Sequence, residues 1–116
     1  MNTSNTSNTL NTFQMKGSDF MSVKVSYWLN LAKEDLDVAQ VLLGSGKILY
    51  AGFMCHLAVE KALKARIASI GEIPSKIHNL IRLAELGDLL GLMSETHTDL
   101  LDTLNPLQIE ARYPCI

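Results

Sequence analysis

An all-α fold, an up-and-down four-helix bundle behind a disordered N-terminal tail, follows from three features of this sequence. Apolar residues recur three and four positions apart in four successive segments, glycine or proline separates each segment from the next, and no window alternates with period two between turn signals. The chain has 116 residues, 47% of them hydrophobic and 19% charged, which is room for one domain and one core. At that size burial supplies an ordinary core without disulfides or metal.

Residues 1–20 read as the tail. Met1 to Ser18 is a near-repeat of Asn-Thr-Ser with one charge, Lys16, and three large apolar residues, Leu10, Phe13 and Met15. So little apolar area does not offset the entropy of ordering a backbone. The bundle therefore spans residues 21–116, and Met21 would serve as a natural start.

The first helix is expected from Ser26 to Leu43, where Trp28, Leu29, Leu31, Ala32, Leu36, Ala39, Leu42 and Leu43 form an apolar side. Gly44-Ser45-Gly46 stops it. A second helix follows from about Lys47 to Ile70. Its first part, ILYAGFMCHLAV, is apolar on nearly every side, as befits a helix that is central to the bundle and also faces another subunit. Gly71 and Glu72-Ile73-Pro74 end it.

Ser75 is placed to cap a third helix from Lys76 to about Leu90, with Ile77, Leu80, Ile81, Ala84 and Leu89 on one side and Gly91 closing it. Ser94 or Thr96 opens a fourth, containing Leu100, Leu101 and Leu104, with Glu95 and Asp99 near its positive end. Asn105-Pro106 breaks it.

Several classes are excluded. Cys55 and Cys115 form no CxxC pair, and two thiols are too few for a zinc cluster or a disulfide scaffold, which points to a reduced, cytoplasmic protein. There is no signal-peptide pattern and no apolar run of the roughly eighteen residues a membrane span needs. His56, His78 and His97 stand far apart, with no HExxH or di-iron repeat, so no metal site is expected. A phosphate-cradling GxxxxGK[ST] and a nucleophile elbow are also absent, and no cofactor is implied.

The net charge of −2 conceals a segregation. From Lys47 to Arg82 there are Lys47, Lys61, Lys64, Arg66, Lys76 and Arg82 against Glu60 and Glu72, a balance of +4; from Leu83 to Glu110 there are Glu85, Asp88, Glu95, Asp99, Asp102 and Glu110 with no base, a balance of −6. The basic stretch suits phosphate or an acidic partner, unless the two stretches simply attract one another inside the fold.

Two polar sets stand out. His56, Glu60 and Lys64 lie four apart on one stripe of the second helix, with Lys61 beside them; the plain reading is a Glu60–Lys64 ion pair next to a core histidine, with Glu60 kept ionised. His78 and Arg82 lie one turn apart at the start of the third helix. An imidazole there is suited to proton transfer and a guanidinium to holding phosphate, although His78 serves equally well to orient the turn after Pro74. His97, between two threonines, reads as a surface residue.

Trp28, Ala32, Asp35-Leu36 and Ala39, then Tyr50-Ala51, Phe53, His56, Ala58, Glu60-Lys61 and Leu63-Lys64-Ala65, then Pro74, His78 and Leu80, and finally Ala111-Arg112-Tyr113-Pro114 together resemble the HEPN domain family (higher eukaryotes and prokaryotes nucleotide-binding). The resemblance spans about Ser26 to Pro114. It implies an up-and-down bundle, commonly homodimeric, of the prokaryotic type paired with a minimal nucleotidyltransferase as toxin and antitoxin. His56, Glu60 and Tyr113 are structural positions of that pattern, and Lys61, Lys64 and Arg112 are the candidate phosphate- or nucleotide-binding residues.

Toxins of this kind are metal-independent ribonucleases with an Arg-x(4 to 6)-His motif, and this sequence departs from it. Eleven residues separate Arg66 from His78, fourteen separate Arg82 from His97, and no histidine follows Arg112. Three readings stand: a module that binds nucleotide, RNA or a partner without cutting; a ribonuclease with a displaced His78/Arg82 site; and an inactive fold. The Arg-Tyr-Pro segment resembles the approach to a further element, as in a chain truncated at its C-terminus.

Overall fold

A computed structural model describes residues 17–74 and 76–108 of the chain. Among them are four α-helices and no strand: α1, Gly17–Gly44; α2, Ile48–Ser69; α3, Leu80–Leu86; and α4, Glu95–Leu104, with a single 3-10 turn, Leu90–Leu92, before α4. The expected all-α bundle is what forms. The expectation for residues 1–16 lies outside the described residues, and α1 begins at Gly17, inside the stretch assigned to the tail.

Turn chemistry separates the helices. After α1, Gly46 takes a φ of +78° and the Lys47 N–H reaches back to the Leu42 carbonyl at 2.9 Å. After α2, Gly71 takes +85° and the Glu72 N–H reaches the Ile67 carbonyl at 3.1 Å. Both are six-to-one closures, in which a left-handed residue turns the chain so that an orphan carbonyl is satisfied.

The third helix departs from expectation at both ends. It starts at Leu80, because the Asn79 side chain accepts the Arg82 N–H at 3.0 Å and caps it there. His78 therefore precedes the helix, and Ser75 lies outside the described residues. The helix closes at Leu86 rather than near Gly91: Asp88 adopts φ +57° and the Leu89 N–H bonds the Ala84 carbonyl at 2.9 Å, the same closure with aspartate in the left-handed position.

Helix α4 starts as expected, with Ser94 as N-cap and His97 returning the bond in a capping box. It ends at Asn105, whose side-chain oxygen accepts the Leu80 N–H at 2.8 Å. One asparagine thus joins the end of α4 to the start of α3.

The core is one cluster of Leu63, Ile67, Leu80, Leu83, Ala84, Leu101 and Leu104, where α2, α3 and α4 meet. Helix α1 lies outside it and packs on α2 through small buried residues, Ala32 and Ala39 against Ala51 and Ala58. No described helix is long and apolar enough to cross a membrane.

Leu83 is fully enclosed, so Leu83→Ala should cost about 2–5 kcal/mol of stability. Val41→Ala, on the open side of α1, should stay within about 0.5 kcal/mol. Urea unfolding followed by circular dichroism measures both.

Candidate functional site

The polar centre of the molecule is the carboxylate of Glu60, buried in the middle of α2. Lys64, one turn on, donates from Nζ to Oε2 at 3.0 Å. His78 enters from the segment before α3 and donates from Nδ1, 3.1 Å from both oxygens. His56, one turn back, brings Nε2 to 3.3 Å from Oε1, a close electrostatic contact without hydrogen-bond alignment. Burial by itself would raise the carboxyl, but the convergence of His56, Lys64 and His78 outweighs it and takes the pKa from the usual 4.5 down to about 2.

Each partner is itself held. His56 is completely enclosed and donates from Nδ1 to the Leu104 carbonyl at 3.0 Å, taking an acceptor that the end of α4 leaves free. The Lys64 ammonium stands 5.7 Å from the centre of the Trp28 ring on α1, with Tyr27 edge-on to the indole. The His78 side chain is 49% exposed, with Nδ1 fixed by the carboxylate.

The residues expected to meet phosphate are occupied in other ways. Lys61 does not join the Glu60 group; it crosses to Asp35 on α1 at 2.6 Å. Arg82 turns along its own helix onto Glu85, also at 2.6 Å, rather than sharing a face with His78. Arg66 donates from Nε to the Gly87 carbonyl at 2.8 Å, and a Cβ at Gly87 would stand only 3.0 Å from the Arg66 Cγ. Arg112 and Tyr113 lie outside the described residues. His97 is the exposed capping residue of α4.

Glu60, His56, Lys64 and His78 are therefore brought together, while Lys61 and Arg82 are not. Sequence reasoning gave Asp35, Trp28 and Asn105 no place in the site. Asp35 carried a signal, since it sits three and four positions from Ala32 and Ala39 on the buried side of α1, where a lone carboxylate needs a cation. Among the described residues no group of three or more His, Cys, Asp or Glu side chains is placed to hold a metal ion.

A second feature is apolar. Among the described residues a trough runs between α1 and α2 as two hollows of about 440 and 270 Å³ that share Leu36 and Cys55, with Leu100 and Leu104 of α4 lining the first.

The lowered Glu60 pKa has a definite pH signature. The stabilisation is complete above the unfolded value of 4.5 and is lost as the pH falls toward 2, a loss of about 3 kcal/mol. Glu60→Gln should remove that dependence and cost about 3–5 kcal/mol at pH 7, because Lys64 is left buried without its counter-charge. Urea titrations of both proteins at pH 7 and pH 3 read the difference.

Neither the comparison with curated proteins nor that with solved structures gives a match. The family model described as HEPN domain matches residues 25–116, which takes in all of α2, α3 and α4 and most of α1. Together with the helical bundle, this match establishes that the chain belongs to the HEPN domain family.

Proposed function

We propose that this chain is a homodimeric, partner-binding HEPN module without nuclease activity, working as one component of a pair with a minimal nucleotidyltransferase. The observation that carries this reading is the contrast between its charges and its apolar surface. Lys61 and Lys64 are held by Asp35 and Glu60, so a phosphate at either would have to displace an existing acceptor, while Arg66 and Arg82 each give one donor to the Gly87 carbonyl and Glu85. The trough, in contrast, is lined almost wholly by apolar side chains among the described residues.

Magnitudes favour its closure by protein. Leu29, Leu36, Leu43, Ile48 and Leu100 along the trough are between 41% and 71% exposed, equivalent to between two and three whole side chains. At about 1.5–3 kcal/mol per side chain buried, closure is worth about 4–8 kcal/mol per copy. Counted on both copies, that offsets the ~4–15 kcal/mol cost of association. The opposite side of α1, with Val23, Tyr27, Val38 and Val41 exposed, remains for a different protein.

A second reading, a metal-independent ribonuclease with a displaced site, is favoured by the His78–Glu60 pair. A carboxylate that fixes Nδ1 orients the imidazole and leaves Nε2 to take a proton from an RNA 2'-hydroxyl. The phosphate would then need Arg82 released from Glu85.

Light scattering on the eluting protein should give a dimer mass at micromolar concentration, and co-expression with a minimal nucleotidyltransferase encoded beside it should yield a stable complex. A stable monomer overturns the dimer. RNA incubated with the folded protein in EDTA should remain intact; cleavage that His78→Ala abolishes without lowering the melting temperature would establish the second reading instead.

A further inference from the structure

A third cavity, of about 480 Å³, lies where the C-terminal end of α2 meets α3, and it shares no lining residue with the trough. That volume is in the range of small-molecule sites. Its apolar wall continues the core: Ile67 belongs to the buried cluster, and Ile77 and Leu86 pack against that cluster. Ile73, on the turn after α2, also lines the cavity and is 83% exposed, more than any other large apolar side chain among the described residues.

Two charged residues, Glu72 and Arg82, line the same cavity, and the local fold brings each of them there. Gly71 turns the chain after α2, and the Glu72 N–H bonds back to the Ile67 carbonyl at 3.1 Å, which holds residue 72 beside the apolar wall. Arg82 stands one turn before Leu86 on α3, on the same side of that helix. Its guanidinium gives one of its five donors to Glu85, in a pair exposed on both sides and therefore worth little. The fork can accept a second carboxylate, or exchange Glu85 for one, at small cost. Glu72 has no ion-pair partner among the described residues.

We propose that this cavity binds an apolar zwitterion of dipeptide size, with its carboxylate on Arg82, its ammonium on Glu72 and its aliphatic side chains against Ile67, Ile77 and Leu86. Charge complementarity selects the class. A plain organic anion that reaches Arg82 also meets Glu72, and a plain cation meets Arg82; an uncharged ligand leaves both charges unmatched. A ligand with charge of both signs escapes all three penalties. Size selects the length: a cavity of this volume is about 10 Å across, and an extended chain advances about 3.3–3.6 Å per residue, so two residues fit with their terminal groups. The inference uses none of the trough and is independent of the dimer reading above.

The test is a titration of Leu-Leu, with both ends free, into the full chain labelled at its isoleucine and leucine methyl groups. Saturable shifts are expected at Ile67, Ile77 and Leu86, with a Kd of about 0.1–1 mM. N-acetyl-Leu-Leu and Leu-Leu amide each lose one charge and should bind about fivefold more weakly. Gly-Gly, without an apolar body, should produce no saturation up to about 10 mM. In Glu72→Gln the acetyl cap should make no difference while the amide still weakens binding, and in Arg82→Gln the pattern should reverse. Both substituted positions are exposed, so circular dichroism should show unaltered helix.

Absence of saturable shifts at these methyls overturns the site. Capped peptides that bind as tightly as Leu-Leu, or decanoate that binds more tightly, overturn the zwitterion class and with it the proposal. So does a pair of variants that respond identically to both caps.

Discussion

Glu60 is the constraint around which the other polar contacts are arranged. A buried carboxylate is tolerable only if it is surrounded by donors, and this one recruits them from its own helix on either side and from the segment ahead of α3. The consequences radiate outward. Holding His78 keeps residues 76–79 out of helical geometry, which puts the cap at Asn79 and fixes where α3 begins. Through His56 the same group touches the end of α4, whose Asn105 in turn bonds the first turn of α3. Three elements are thus indexed to one side chain.

That economy bears on function. Lys61 and Lys64, which look available in sequence, are spent on internal acceptors, and the most prominent ionisable cluster is largely enclosed. What the fold leaves open is apolar. A protein with closed charges and an open apolar trough is arranged for protein contact before it is arranged for phosphate.

Helix number, the central place of α2 and the Ser94 cap were legible because they depend on local pattern: apolar spacing, glycine breaks and a capping serine. The start of α3 was not, because Ser75 and Asn79 are both good caps and the choice between them is made by His78 reaching Glu60, eighteen positions away in sequence. The helix end was misread for a related reason, since Asp88 adopts the left-handed conformation that glycine signals more plainly. In the site, the Glu60–Lys64 pair followed from four-residue spacing, whereas Lys61–Asp35 joins two helices and no spacing rule predicts it. The segregated charges likewise looked like a face for phosphate until their individual partners were seen.

Helix α1 is long but is fastened mainly to α2, through alanine contacts, the Lys61–Asp35 pair and the Lys64–Trp28 contact. Alanine burial contributes little per residue compared with the leucine-rich cluster behind α2. Helix α1 can therefore be loosened without disturbing the leucine-rich cluster on the other side of α2. Anything that covers the trough requires α1 in place, because α1 supplies one of its walls, so association and the folding of α1 are thermodynamically linked.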